Sequence, residues 1–280
     1  MKLVLLSALL ISCLASTSVL SAQDSLLQSE IQKLVNSLKE STNFSSEQKI
    51  EKYKVLLQKE NTKSDLNNLP ILILKEAIVT EMFQLGRYGE IINLFETSGF
   101  LRNINKTNEN AHFYVNLLTA TADAYLNLQE YDSAKNVIAE LEAYLSMYEV
   151  TEETKAAVLM TVGQFHVMTG EYKDGLAKLR LTMEVVEKSS GFSEESKLKK
   201  ISAALSYISN TYFILGDYKN AIKYNKRIIE TAGNSLAPKH MVVYKHNIAS
   251  SYLELLEWDK ALNTATLASQ QAKEIDRNIY

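Results

Sequence analysis

The sequence predicts an all-α chain built by stacking one antiparallel helix hairpin several times over. Three observations carry that expectation. Residues 212–230 hold an aromatic at Tyr212, a helix-stopping Gly216, a second aromatic at Tyr218 and a small Ala221, followed by Ile222, Ile228 and Ile229 at helical spacing. A glycine ends a helix readily because it tolerates the left-handed conformation that a helix stop often needs. The same elbow then recurs, with its aromatic at Tyr88, Tyr131, Tyr172, Tyr218 and Trp258, at intervals of 43, 41, 46 and 40 residues. The composition agrees: 46% hydrophobic and 22% charged residues with only nine Gly and two Pro favour long helices.

The segment 1–22 is read as a leader outside the fold. Lys2 supplies the positive start, Leu3 to Leu14 an apolar run, and small residues lead to Ala22 before Gln23-Asp24. That is the pattern of a secretory signal peptide, and the run is too short for a ~20-residue membrane span. The chain is therefore expected to be exported, periplasmic or secreted. A rival processing site, Leu10-Ile11-Ser12-Cys13, resembles a bacterial lipoprotein box and would leave a lipidated Cys13, although the leader before it is short and Leu14 is a poor following residue. Cleavage after Ala22 leaves no cysteine, which excludes disulfides and thiolate metal sites.

Residues 23–69 read as a degenerate helix pair that caps the array. Ile31, Leu34, Val35 and Leu38 form one stripe, and Ile50, Tyr53, Leu56 and Leu57 the next. Ser45 and Gln48 between them offer a capping box. The array itself is expected over 70–280. Pro70 and Pro238 suit helix starts, where a missing N–H donor costs nothing. Thr151 and Ser193 are expected N-caps, and the acidic pairs Glu152-Glu153 and Glu194-Glu195 after them complement the helix dipole.

Each elbow aromatic is followed three residues later by Ile91, Ala134, Gly175, Ala221 or Ala261, and preceded by six residues by Met82, Tyr125, His166, Tyr212 or Tyr252. With these positions in register the chain resembles the tetratricopeptide repeat over residues 70–275. Its units are longer than the family's ~34 residues. Gln129 and Leu256 depart from the pattern by replacing the elbow Gly, and Ile91 by replacing the small residue. The resemblance implies a right-handed α-solenoid of antiparallel hairpins, a superhelix in which each unit buries its apolar stripe against its neighbours.

Chemistry-bearing motifs are missing from the sequence. It has no Gly-rich phosphate loop, no His-Glu-x-x-His, no Gly-x-Ser-x-Gly and no cysteine nucleophile beyond the leader. His166 sits at the aromatic hairpin position and reads as a packed residue, while His240 and His246, six apart, do not share a helix face. Trp258 reads as a packed elbow aromatic, whose truncation would cost ~3–5 kcal/mol when well buried. A formal charge of −3 without long basic runs gives no footprint for nucleic acid. The expectation is a non-enzymatic chain with no cofactor, no metal and no membrane span after the leader.

The resemblance further implies a ligand groove lined by the first helix of each unit. Twelve residues before each elbow stand Glu76, Thr119, Met160, Ser206 and His246, and eight before stand Thr80, Asp123, Gln164, Asn210 and Ser250. Neither set contains Lys or Arg, so the carboxylate clamp of chaperone-binding members is not expected. Phe83, Met168 and Phe213 are candidate apolar anchors, Asp123 and Asn210 orienting groups, with Asn127 and Glu254 on the same surface. The occupant expected is a neutral or basic peptide segment. Some of these side chains have an alternative use, packing adjacent first helices. After Trp258 the last helix carries Ala261, Leu262, Ala265, Leu267 and Ala268 with no solvated capping helix following. Two readings stay open for it: cover by a partner or a second copy, or an extracytoplasmic sensor portion acting through a separate output module.

Overall fold

A computed structural model describes residues 29–61, 69–96, 111–232 and 237–277. The segment 1–22 that is expected to be a leader, with Cys13, and residues 278–280 lie outside these residues. The fold is all-α, and no strand occurs among the described residues. Helix α1 spans 29–40. It is followed by α2 (Ser46–Asn61), α3 (Leu69–Gln84), α4 (Tyr88–Glu96), α5 (Ala111–Asn127), α6 (Tyr131–Met147), α7 (Glu152–Met168), α8 (Tyr172–Lys188), α9 (Glu194–Ile214), α10 (Tyr218–Ala232), α11 (Pro238–Glu254) and α12 (Trp258–Arg277). The chain divides into two compact units, Met1–Glu130 and Tyr131–Tyr280.

In the first unit α3 is the central element. Its sequence is apolar on every side, and Ile71, Leu72, Ile73, Leu74, Ile78, Val79 and Met82 are all buried, as a helix surrounded by others requires. It packs against α2, α4 and α5. The Ser46 hydroxyl donates to Glu81 at 2.6 Å, with Lys49 4.0 Å away, so the buried carboxylate of α3 is held by α2. The expected capping box forms: Gln48 N–H donates to Ser45 Oγ at 3.3 Å, and Ser45 N–H to Gln48 Oε1 at 2.9 Å. Of the predicted stripe on α1, Ile31 and Val35 are buried but Leu34 is exposed. The pair α1–α2 thus buries a narrower face than the sequence suggests.

The second unit is built of antiparallel pairs, α7 with α8, α9 with α10 and α11 with α12. A core of Ala156, Leu179, Val186, Ala204, Leu205, Ile208 and Ile228 runs through it. Thr151 and Ser193 cap their helices as expected, each accepting through its side chain from the N–H three residues on. Pro238 opens α11. On α10 the buried stripe is Ala221, Ile222, Asn225, Ile228 and Ala232, so one of its inward positions is polar.

All five elbows share one backbone geometry. Gly86, Gly170 and Gly216 have φ of 68°, 88° and 74°, and Gln129 and Leu256 adopt 62° and 60°. The departures from glycine therefore keep the left-handed turn. At every elbow the N–H just before the aromatic donates to the carbonyl five residues upstream: Arg87 to Met82, Glu130 to Tyr125, Glu171 to His166, Asp217 to Tyr212 and Glu257 to Tyr252, at 2.7–2.9 Å. This is the six-to-one bond of a Schellman stop. The residues three past the aromatics, Ile91, Ala134, Gly175, Ala221 and Ala261, are all buried.

Trp258 corrects one expectation. It holds its place at the elbow but is 60% exposed, so it is not the packed aromatic read from the sequence. The other elbow tyrosines are half-buried. α12 is the last helix described and packs on α11. Leu262 and Leu267 on it are exposed as well.

Candidate functional site

The positions expected to form a groove fall into separate settings. On α3, Glu76 and Thr80 line a cavity of about 100 Å³ together with Gln32, Asn36 and Lys39 of α1. Asn116 of α5 donates to Glu76 at 2.7 Å, and the Thr80 hydroxyl donates to the Glu76 main-chain carbonyl at 2.8 Å. Burial pushes the Glu76 carboxyl above its ordinary value, the Asn116 bond and the charge of Lys39 pulling the other way. Thr119 is buried, its hydroxyl donating to Val115.

Phe83 and Phe213 occupy equivalent places. Each meets its elbow tyrosine edge to face, Phe83 with Tyr88 at 5.1 Å and Phe213 with Tyr218 at 5.3 Å between ring centres. Phe83 is half-buried, and Phe213 remains 36% exposed. Asp123 is half-buried on α5, its carbonyl accepting from Asn127 at 2.8 Å. On α7, Gln164 reaches Met168 Sδ at 3.7 Å, and Met168 is exposed. Met160 packs against the core of the second unit. Glu254 is exposed at the end of α11.

Four of the expected residues come together. Asn210 and Phe213 of α9 and His246 and Ser250 of α11 line one cavity of about 190 Å³, with Ser209 and Asn247 beside them. Its walls are successive first helices. The seventh lining residue is Asn225 of α10, which the sequence reading did not single out. Asn225 Nδ2 donates to the Ala221 carbonyl at 3.1 Å and to Ser209 Oγ, and the Ser209 hydroxyl donates to that same carbonyl at 3.0 Å. The signal was present, since an Asn in the stripe Ala221, Ile228, Ala232 breaks an apolar pattern on a buried face.

No helix among the described residues is long and apolar enough to cross a membrane. Among them, no three His, Cys, Asp or Glu side chains gather as a metal site.

No protein-family model matches the chain, and the search of curated proteins finds no match. Solved structures define the class: the chain has a TPR-like helical-repeat fold. It is similar to BtubC (BKLC) from P. vanneervenii, with TM-score 0.62 and 11% identity over 88% of this chain and 92% of that one. It is similar also to the apo form of RapI, with TM-score 0.61 and 14% identity over 91% and 67%. A Podosopora anserina protein, described as a kinesin light chain with nearly identical TPR-like repeats, gives TM-score 0.55 and 13% identity over 72% and 95%.

Proposed function

We propose that the chain is an exported, non-enzymatic scaffold that binds a neutral to basic peptide segment of a partner protein. The observation that carries this reading is the meeting of Asn210, Phe213 and His246 in one cavity between successive first helices. An exposed aromatic beside amides and hydroxyls suits a peptide: the ring covers an apolar side chain, and the polar groups exchange hydrogen bonds with its main chain. The exposed Met168 supplies a further anchor, and the exposed Glu254 sets the preference away from acidic peptides. In this reading residues 1–22 are a signal peptide, 23–69 the cap and 70–280 the binding array, in the periplasm or secreted.

The test is selection of peptides from a random display library on the full chain, followed by affinity measurement. The selected peptides are expected to lose at least tenfold in affinity to Phe213→Ala, with folding retained by circular dichroism. Unchanged affinity in both Phe213→Ala and Asn210→Ala removes the groove.

The exposed Trp258, Leu262 and Leu267 on α12 favour a second reading. A second copy or an output protein would cover this face, which suits the sensor role. Concentration-dependent mass by light scattering, abolished by Leu262→Glu, distinguishes self-association from a separate partner.

A further inference from the structure

We propose that the cavity between α9, α10 and α11 is a specificity pocket for a neutral primary carboxamide, the side chain of an Asn or Gln in the bound peptide. The proposal rests on the groove reading above and deepens it. Its centre is Asn225, which is 2% exposed yet lines the cavity.

The orientation of the Asn225 amide follows from its neighbours. The Ala221 carbonyl can only accept, so the nitrogen of Asn225 must face it. Ser209 gives its own proton to the same carbonyl and therefore accepts the second N–H of Asn225. Both donors of the amide are used. Asn225 Oδ1 is left buried with no hydrogen-bond partner in the protein. Buried polar groups left unsatisfied are costly and uncommon, so this oxygen marks where a donor belongs.

The rest of the lining narrows the chemistry of that donor. Asn210, Asn247 and Ser250 are neutral, no Asp, Glu, Lys or Arg lines the cavity, and His246 is its one titratable side chain. A buried carboxylate facing Oδ1 would meet lone pairs with lone pairs, and an ammonium would find no counter-charge. A primary carboxamide brings an N–H for Asn225 Oδ1 and a carbonyl for the hydroxyl or amides at the mouth, and its flat face suits the Phe213 ring. The volume of about 190 Å³ is several times the ~30 Å³ share of one water, so a side chain fits where a single water would not fill.

The experiment uses the full ¹⁵N-labelled chain and two small probes of the same shape, propionamide and propionate, followed by NMR. Propionamide is expected to move the Asn225 side-chain amide and the Ser209, Asn210 and Ser250 backbone signals saturably, with at least tenfold tighter binding than propionate. In Asn225→Leu, which keeps the volume and removes the acceptor, the propionamide response is expected to vanish and selected peptides that carry an Asn or Gln to lose at least tenfold in affinity, with folding retained by circular dichroism. Equal response to both probes, or none in the wild type, overturns the pocket and leaves an ordered water as its only occupant. Peptide selection and its dependence on Phe213 are read independently of either probe, so a failed pocket with intact Phe213-dependent peptide binding is distinguished from failure of the scaffold reading.

Discussion

A Cβ placed on Gly175 would lie 2.7 Å from Val167 Cγ2 and 2.9 Å from the Gly163 carbonyl, which fixes how closely the first turn of α8 approaches α7. Part of that obstruction is backbone, so side-chain rotation alone cannot relieve it. Gly175→Ala is expected to destabilise the chain by about 1–3 kcal/mol, as overpacking of a close helix contact does. Urea denaturation checks it, with Gly89→Ala as the control, because nothing lies within 4 Å of a Cβ there.

The two elbows without glycine invite the opposite substitution. A non-glycine residue in the left-handed region carries roughly 1–2 kcal/mol of steric cost, of which about half is returned as lost chain entropy when glycine replaces it. Leu256→Gly and Gln129→Gly are each expected to stabilise by about 0.5–1 kcal/mol. Gly216→Ala should destabilise by about 1 kcal/mol, and since a Cβ there meets no atom within 4 Å the loss would be conformational. Denaturation midpoints of the three variants decide the matter.

Burial separates two large aromatics. Tyr144 is 1% exposed, and burial together with Tyr148 pushes its hydroxyl up to about 12. Tyr144→Ala is expected to cost about 3–5 kcal/mol, the range for a large core aromatic. Trp258→Ala should cost less than about 1 kcal/mol, because most of its surface stays in water. Parallel thermal unfolding of the two variants gives the comparison.

Glu76 carries a pH signature. Its pKa in the folded chain is raised above 4.5, chiefly by burial, so the native state holds that proton more tightly than the unfolded state. The contribution to stability is fully present below the unfolded value and is lost as pH rises through the folded value. Asn116 of α5 and Lys39 of α1 face the carboxyl and stay as they are in Glu76→Gln. That variant is expected to be more stable than wild type at pH 7 and to show a flatter stability profile between pH 4 and 7.

The elbows were legible in the sequence because their physics is local: a helix stop, an aromatic and a buried small residue lie within a few positions of one another. Even the replacements at Gln129 and Leu256 were placed correctly by register. Burial was less legible, since it depends on what the next helix covers. Trp258 and Leu34 sit in apolar patterns and yet face solvent. Asn225 breaks the apolar stripe of α10, which was a signal in the sequence, but which group it bonds depends on Ser209 of the neighbouring helix. Glu76 was marked as a ligand position, whereas its link to Asn116 spans 40 residues and has no trace in local spacing.

The same main-chain bond closes all five elbows, whatever side chain stands at the left-handed position. Variation in spacing is therefore carried by the helices and the segments between hairpins, as the 21 residues of α9 beside the 17 of α7 show. The elbow thus behaves as an interchangeable joint. A cassette cut between Glu171 and Tyr172 and again between Asp217 and Tyr218 could be duplicated in frame with every turn restored at its junctions, a route by which such a chain lengthens by whole hairpins.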